Sequence, residues 1–139
     1  MTDGTFEKVQ RSDTRMYGPT KLLLCGFDAP AQPKFMAVLE AAGMQRIPVV
    51  WVSEAMAGER LSALLDLPEG SGAGEGSALP RAIVVSGITE NQLHALMTRC
   101  RESGMQQSLW AALTPTSETW TMQQLLEELQ AERKALSKS

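Results

Sequence analysis

One short run of this 139-residue sequence gathers most of the side chains able to hold a ligand: TPTSETW, which supplies Thr114, Thr116, Ser117, Thr119 and Trp120. Hydroxyls set just ahead of a helix stand beside the helix's own free N–H groups, and that combination can hold a phosphate or a carboxylate. Thr89, at an earlier strand-to-helix junction, belongs with them. The same residues have a plainer use, because Ser and Thr are the default caps of helix N-termini and a neighbouring Trp packs over the turn. Two readings follow. Thr89, Thr114, Thr116, Ser117 and Trp120 are either a site for a small anion or a partner protein, or the caps of two helices.

Catalytic chemistry finds less support. His94 is the single histidine and has no carboxylate at a fixed spacing, so it reads as surface decoration rather than a base. Cys25 ends an apolar run in LLLCGF, and Ser86 ends another in IVVSGI, each before a glycine. A small residue before a tight strand-to-helix turn explains both, and a thiol nucleophile needs a base that the sequence does not offer. VVSGI lacks the first glycine of a nucleophile elbow, and GSGAGEG follows no strand, so it is not a phosphate loop. Two isolated cysteines and one histidine fall short of the four ligands of a zinc site. No catalytic residue, metal or cofactor is expected.

The bulk numbers exclude further classes. A net charge of −3 and a pI near 5.2 argue against a nucleic-acid partner, which requires a concentrated basic patch. No apolar run reaches the roughly 18 residues of a membrane helix. The first twenty residues lack a hydrophobic centre, so no signal peptide is expected and the chain is assigned to the cytoplasm.

The elements that must position these residues come in two copies. Residues 20–67 lie over 81–128 at a constant offset of 61 without a gap, and seven positions are identical: Gly26/Gly87, Met36/Met97, Gly43/Gly104, Met44/Met105, Gln45/Gln106, Leu64/Leu125 and Leu65/Leu126. Each copy reads strand, helix, strand, helix. Leu22–Cys25, Ile47–Val52, Ile83–Val85 and Leu109–Leu113 are short continuous apolar runs, suited to strands covered on both faces. Phe35, Met36, Leu39 and Ala42 recur at helical spacing, as do Leu93, Leu96, Met97 and Cys100. Leu61, Leu64 and Leu65 mark the last helix of the first copy, and Met122, Leu125, Leu126 and Leu129 mark a longer one in the second.

The tripeptide GMQ, at 43–45 and 104–106, reads as a helix stop in both copies. A glycine at C′ supplies left-handed backbone, and the methionine after it folds back on Leu39 or Cys100. Thr89 with Gln92 fits a capping box that starts a helix near Glu90, and Pro33 suits a first helical position.

These elements predict an α/β fold in which two tandem β-α-β-α pseudo-repeats share a four-stranded, mostly parallel sheet with helices on its faces. A single unit of about 50 residues buries too little to stand alone, so the copies form an internal pseudo-dimer, and a monomer is favoured. The expected divisions are an arm at 1–19, the first copy at 20–67, a Gly/Ser linker at 68–80, the second copy at 81–134 and a frayed end at 135–139.

Over residues 82–132, and more faintly over 21–67, the chain resembles a small bacterial family, domain of unknown function 3783. The family pattern is a strand, a Thr-rich turn with an Asn before a Trp, and a Leu-rich acidic helix. Thr114, Thr116, Trp120, Leu125, Leu126 and Leu129 carry the resemblance, while Ser117 or Glu118 stands where the Asn would be, so no polar role passes to that position. The resemblance implies no activity. The expectation is a non-enzymatic interaction or regulatory module, with a protein partner; the alternative is a small-molecule or anion binder built on the Thr-rich turn.

Overall fold

The computed structural model describes residues 14–137. Most of the expected arm, and residues 138 and 139 of the expected frayed end, lie outside the described residues. Along the chain run β1 (Lys21–Cys25), α1 (Ala31–Ala41), β2 (Val49–Val52), α2 (Leu61–Leu65), β3 (Ala82–Ser86), α3 (Glu90–Glu102), β4 (Leu109–Ala112) and α4 (Met122–Ser137). Single 3-10 turns at Glu54–Met56 and Ser117–Thr119 precede α2 and α4. The strand–helix–strand–helix order thus occurs twice, in one sheet ordered β2-β1-β3-β4.

Within each copy the strands are parallel, Leu22 opposite Val49 and Ile83 opposite Trp110, the same register at an offset of 61. The copies meet antiparallel at the centre of the sheet. Leu23 pairs with Val84, its own counterpart, and the pairs on either side, Leu22–Val85 and Leu24–Ile83, exchange equivalents. Such self-complementary pairing is the pattern of an isologous twofold contact. It recurs away from the sheet, where the Leu61 N–H donates to Trp120 O at 2.9 Å and the Met122 N–H donates to Glu59 O at 3.0 Å. Sequence periodicity could not say which way the copies faced, because buried runs carry no direction.

The continuous apolar strands are explained by what covers them. Leu22, Leu24, Val49, Trp51, Ile83 and Val85 pack under α1 and α3, against Phe35, Val38, Leu39 and Leu96. Leu23, Cys25, Val50, Val52, Ala82 and Val84 face α2 and α4, against Leu61, Leu64, Leu65, Met122, Leu125 and Leu126. Each fully buried Leu or Ile contributes about 2 kcal/mol against exposure. Because the faces alternate along each strand, each face is covered by one helix from each copy, α1 with α3 and α2 with α4.

The paired glycines do different work. Gly26 (φ +78) and Gly87 (φ +67) end the central strands where the other copy's incoming chain crosses. A Cβ would stand 2.4 Å from Leu79 O at Gly26 and 2.4 Å from Gly18 O at Gly87. The carbonyls of these glycines anchor that crossing, Gly26 O accepting from Arg81 Nε and Gly87 O from Thr20 Oγ1, which are equivalent positions. Gly43 (φ +76) and Gly104 (φ +77) are helix stops with open space around them. After α1 the Schellman pattern is complete: Gly43 N–H donates to Glu40 O and Met44 N–H to Leu39 O. After α3 only the first of these forms, from Gly104 N–H to Arg101 O. Ser103, where the first copy has Ala42, donates its hydroxyl to Cys100 O at 2.7 Å and accepts from Met105 N–H at 3.3 Å.

α3 begins at Glu90 under the Thr89–Gln92 capping box. Pro33 proves to be the third residue of α1, not the first, since the helix starts at Ala31. It is tolerated there because the first four helical N–H groups need no intrahelical partner. α4 continues past the expected boundary at 134 to Ser137.

Candidate functional site

The five residues of the expected site are placed at helix starts. Thr114 and Ser117 are brought together. Ser117 N–H donates to Thr114 Oγ1 at 2.9 Å, Thr114 N–H donates to Ser117 Oγ at 3.0 Å, and the two hydroxyls lie 3.0 Å apart. Thr116 is exposed and gives its carbonyl to the Thr119 hydroxyl. Trp120 is half-buried against the α2/α4 core, and Thr121 with Gln124 forms the capping box of α4. Thr89 caps α3, on the opposite face of the sheet, and no hydrogen bond among the described residues joins it to the Thr114–Ser117 turn. Tyr17 donates its hydroxyl to Glu118, fastening the incoming chain to this turn; that bond raises the Tyr17 pKa.

The side chains considered for catalysis are dispersed. His94 is exposed on α3. Burial pushes the Cys25 thiol up to about 12 and the Cys100 thiol up to about 11, the latter against a lowering by Arg81. Both are therefore neutral thiols near pH 7. Among the described residues no three His, Cys, Asp or Glu side chains gather as a metal site would require.

The copies differ most at the outer edges of the sheet. In a parallel pair, alternate residues turn both backbone groups to the same side. Leu109 and Leu113 donate their N–H groups to β3, at Arg81 O and Val85 O, so Trp110 and Ala112 face away from it. Their counterparts in β2 are Val49 and Trp51. Val49 O accepts from Gly70 N–H and the Trp51 N–H donates to Ser71 O, both at 2.8 Å. The 68–80 linker thus lies along β2 and closes that edge. No described residue does the same for Trp110 and Ala112. Where the first copy turns from α2 into the linker, the second continues as α4, and Arg133 on it reaches Gln107 at 3.0 Å.

A cavity of about 300 Å³ lies beside this open strand. The buried Phe27, Phe35 and Ile83 line it together with the partly buried Met97, Cys100, Met105 and Trp110, and Arg101 and Arg133 stand among its polar residues. A second, shallower depression of about 460 Å³ shares Gln106, Gln107 and Arg133 with it and adds Arg81 and Lys134. No Asp or Glu lines either one. In the first copy the corresponding space is filled. Ile47 is 8% exposed and Met44 is 2% exposed, both within the core, whereas Ser108 replaces Ile47 and Met105 is only partly buried. The diverted helix end at Ser103 and the short side chain of Ser108 together leave the gap.

Neither cavity is lined by Thr89, Thr114, Thr116, Ser117 or Trp120. The Thr-rich turn follows the carboxyl end of β4. The gap lies at the amino end, where Ala42 against Ser103 and Ile47 against Ser108 were the signals available in the sequence.

Residues 81–136 match the family model described as domain of unknown function (DUF3783). The match takes in the whole of β3, α3 and β4 and almost all of α4, the elements around the open edge and the cavity. Neither the curated proteins nor the solved structures give a match to the chain. Among the described residues no helix is long and apolar enough to cross a membrane.

Proposed function

We propose that this protein, whose second copy carries the DUF3783 match, is a non-enzymatic interaction module, an internal pseudo-dimer that takes an extended segment of a partner protein along β4. One observation carries the reading: of two equivalent sheet edges, the chain closes β2 with its own linker and leaves Trp110 and Ala112 of β4 unpaired among the described residues. Exposed edges template strand addition, and proteins commonly cover them unless they are used. The β2 edge supplies a pattern for an occupant, a short run giving one N–H and accepting one. The Thr-rich turn acts as a cap in this reading, because Thr114 and Ser117 spend their hydroxyls on each other and on their own backbone. Two thiols held neutral by burial and a lone exposed His94 fit a binding role better than a catalytic one. Unpaired cysteines suit the cytoplasm, where we place the chain.

The test is to select extended peptides from a display library against the full chain. Selected peptides should shift the Trp110 and Ala112 amide resonances. They should also lose about fivefold to tenfold in affinity for Ala112→Pro, which removes one edge donor. Peptides that bind Ala112→Pro as tightly as the parent, or that shift another surface, would overturn the reading.

A further inference from the structure

The cavity beside β4 shares Trp110 with the strand edge but reaches inward from it to Phe27, Phe35 and Ile83. We propose that it takes a small amphipathic carboxylate, an aryl or branched-alkyl body in the cavity with its carboxylate held by Arg101 and Arg133. Three observations converge on this class of ligand.

The first is size and lining. About 300 Å³ lies at the lower end of the range of ligand pockets, and the walls offered by Met97, Cys100, Met105 and Trp110 are apolar and polarizable. The second is charge. The protein as a whole is acidic, at −3, yet no carboxylate lines the cavity or the depression that adjoins it. Arg101 carries no ion pair among the described residues. Arg133 is oriented by its hydrogen bond to Gln107. A guanidinium held in place at an apolar cavity recognises a carboxylate by charge-assisted hydrogen bonds, and a neutral ligand of the same shape would forgo them. The third is the internal control. The first copy has Glu40 where the second has Arg101, and Ile47 where it has Ser108. The fold is therefore built equally well with this space filled by a buried isoleucine, and the second copy differs by both emptying it and ringing it with cations.

The experiment uses the full chain with isotope-labelled methionine methyl groups, titrated with sodium 4-phenylbutyrate, with 4-phenyl-1-butanol and with sodium acetate. Phenylbutyrate should move the Met97 and Met105 methyl signals saturably and leave Met44, the counterpart of Met105, in place. The alcohol should bind at least about tenfold more weakly, and acetate should move nothing at the same concentrations. Ser108→Ile, which installs the first copy's residue, should abolish the shifts. Arg101→Gln with Arg133→Gln should reduce phenylbutyrate to the affinity of the alcohol, and this pair keeps the test sharp if Ser108→Ile folds poorly. Absence of saturable shifts in the parent chain would overturn the proposal. So would equal binding of acid and alcohol, or binding undiminished in the double arginine variant. None of these readouts involves a peptide on the β4 edge, so this failure and that of the interaction reading are distinguishable.

Discussion

The amino ends of β2 and β4 hold equivalent places in the two copies and are finished in opposite ways. At β2, a complete Schellman turn delivers Met44 and Ile47 into the core, and Gly70 and Ser71 pair with the strand's outer edge. At β4, Ser103 intercepts the helix end, Ser108 leaves the core short of a side chain, and the outer edge has no described partner. Backbone pairing at the centre of the sheet is shared by both copies, because the Leu23–Val84 register sets each copy's strand against the other. Contacts at the rim belong to one copy only and are free to differ. Divergence between repeats is therefore a guide to function only at positions the shared centre does not constrain.

The centre can be attacked directly. Gly87→Ala places a Cβ 2.4 Å from Gly18 O and 2.7 Å from the Pro19 carbonyl carbon, in left-handed backbone, and should destabilise by about 2–5 kcal/mol. Gly104→Ala has the same sign of φ and nothing within 4 Å, so it should cost only about 1–2 kcal/mol. Equal losses in urea denaturation would mean that the crossing at Gly87 is not a constraint. Next in size is the rim of the first copy. Ile47→Ser recreates the second copy's residue in a filled core and should cost about 2–4 kcal/mol, read from the same transitions. A loss below about 1 kcal/mol would show that Ile47 does not fill the space that stands empty beside Ser108.

Much of this architecture was legible in residue patterns. The gapless offset gave the element order, and Gly43–Met44 gave the turn after α1, because Gly43 supplies left-handed backbone and Met44 follows it with the apolar Leu39 to fold back on. The direction in which the copies meet was not legible, since Leu22–Leu24 and Ile83–Val85 are apolar on every side and fit a neighbour running either way. The cavity was missed for a different reason. Thr114, Thr116 and Ser117 attract attention as polar residues present in one copy, whereas a cavity is made by atoms that are absent. Ser108 in place of Ile47 reads as an ordinary surface residue until its register partner is seen to be buried.

The two edges should separate in hydrogen exchange. The Trp51 amide donates to Ser71 and lies beneath the linker, so it should exchange on the order of 100-fold more slowly than that of Ala112, which is exposed and unpaired among the described residues. Comparable protection at Ala112 would show that the β4 edge is covered in solution, and would remove the basis for docking there. The thiols offer a weaker contrast by pH. Burial raises both above their ordinary value of 9.0, to about 12 for Cys25 and about 11 for Cys100, so the folded chain holds these protons more tightly than the unfolded one. Their contribution to stability is then fully present below pH 9 and is lost progressively as pH rises from 9 toward 11 and 12. Alkylation by iodoacetamide should be slow at pH 8 and should quicken first at Cys100. A rapid reaction of either thiol at pH 8 in the folded chain would contradict the burial of these groups.

The smallest expected effect is a difference in sign at one equivalent position. Cys25 and Ser86 end the two central strands, both with 0% exposure, but a thiol is content among apolar neighbours and a hydroxyl is not. Among the described residues Ser86 Oγ has no hydrogen-bond partner, and it is confined by the close approach of Gly18, whose Cβ, if it had one, would lie 2.3 Å away. Removing an unsatisfied buried hydroxyl relieves its desolvation, so Ser86→Ala should be neutral to stabilising by up to about 1 kcal/mol. Cys25→Ala instead deletes a packed sulfur and should cost about 1 kcal/mol through the space left behind. Urea midpoints at unchanged m-value decide between them. Opposite signs would show that the second copy carries a polar mismatch that the first avoids. A loss at Ser86 equal to that at Cys25 would mean that its hydroxyl is satisfied in solution, and that the centre of the sheet is as well matched in one copy as in the other.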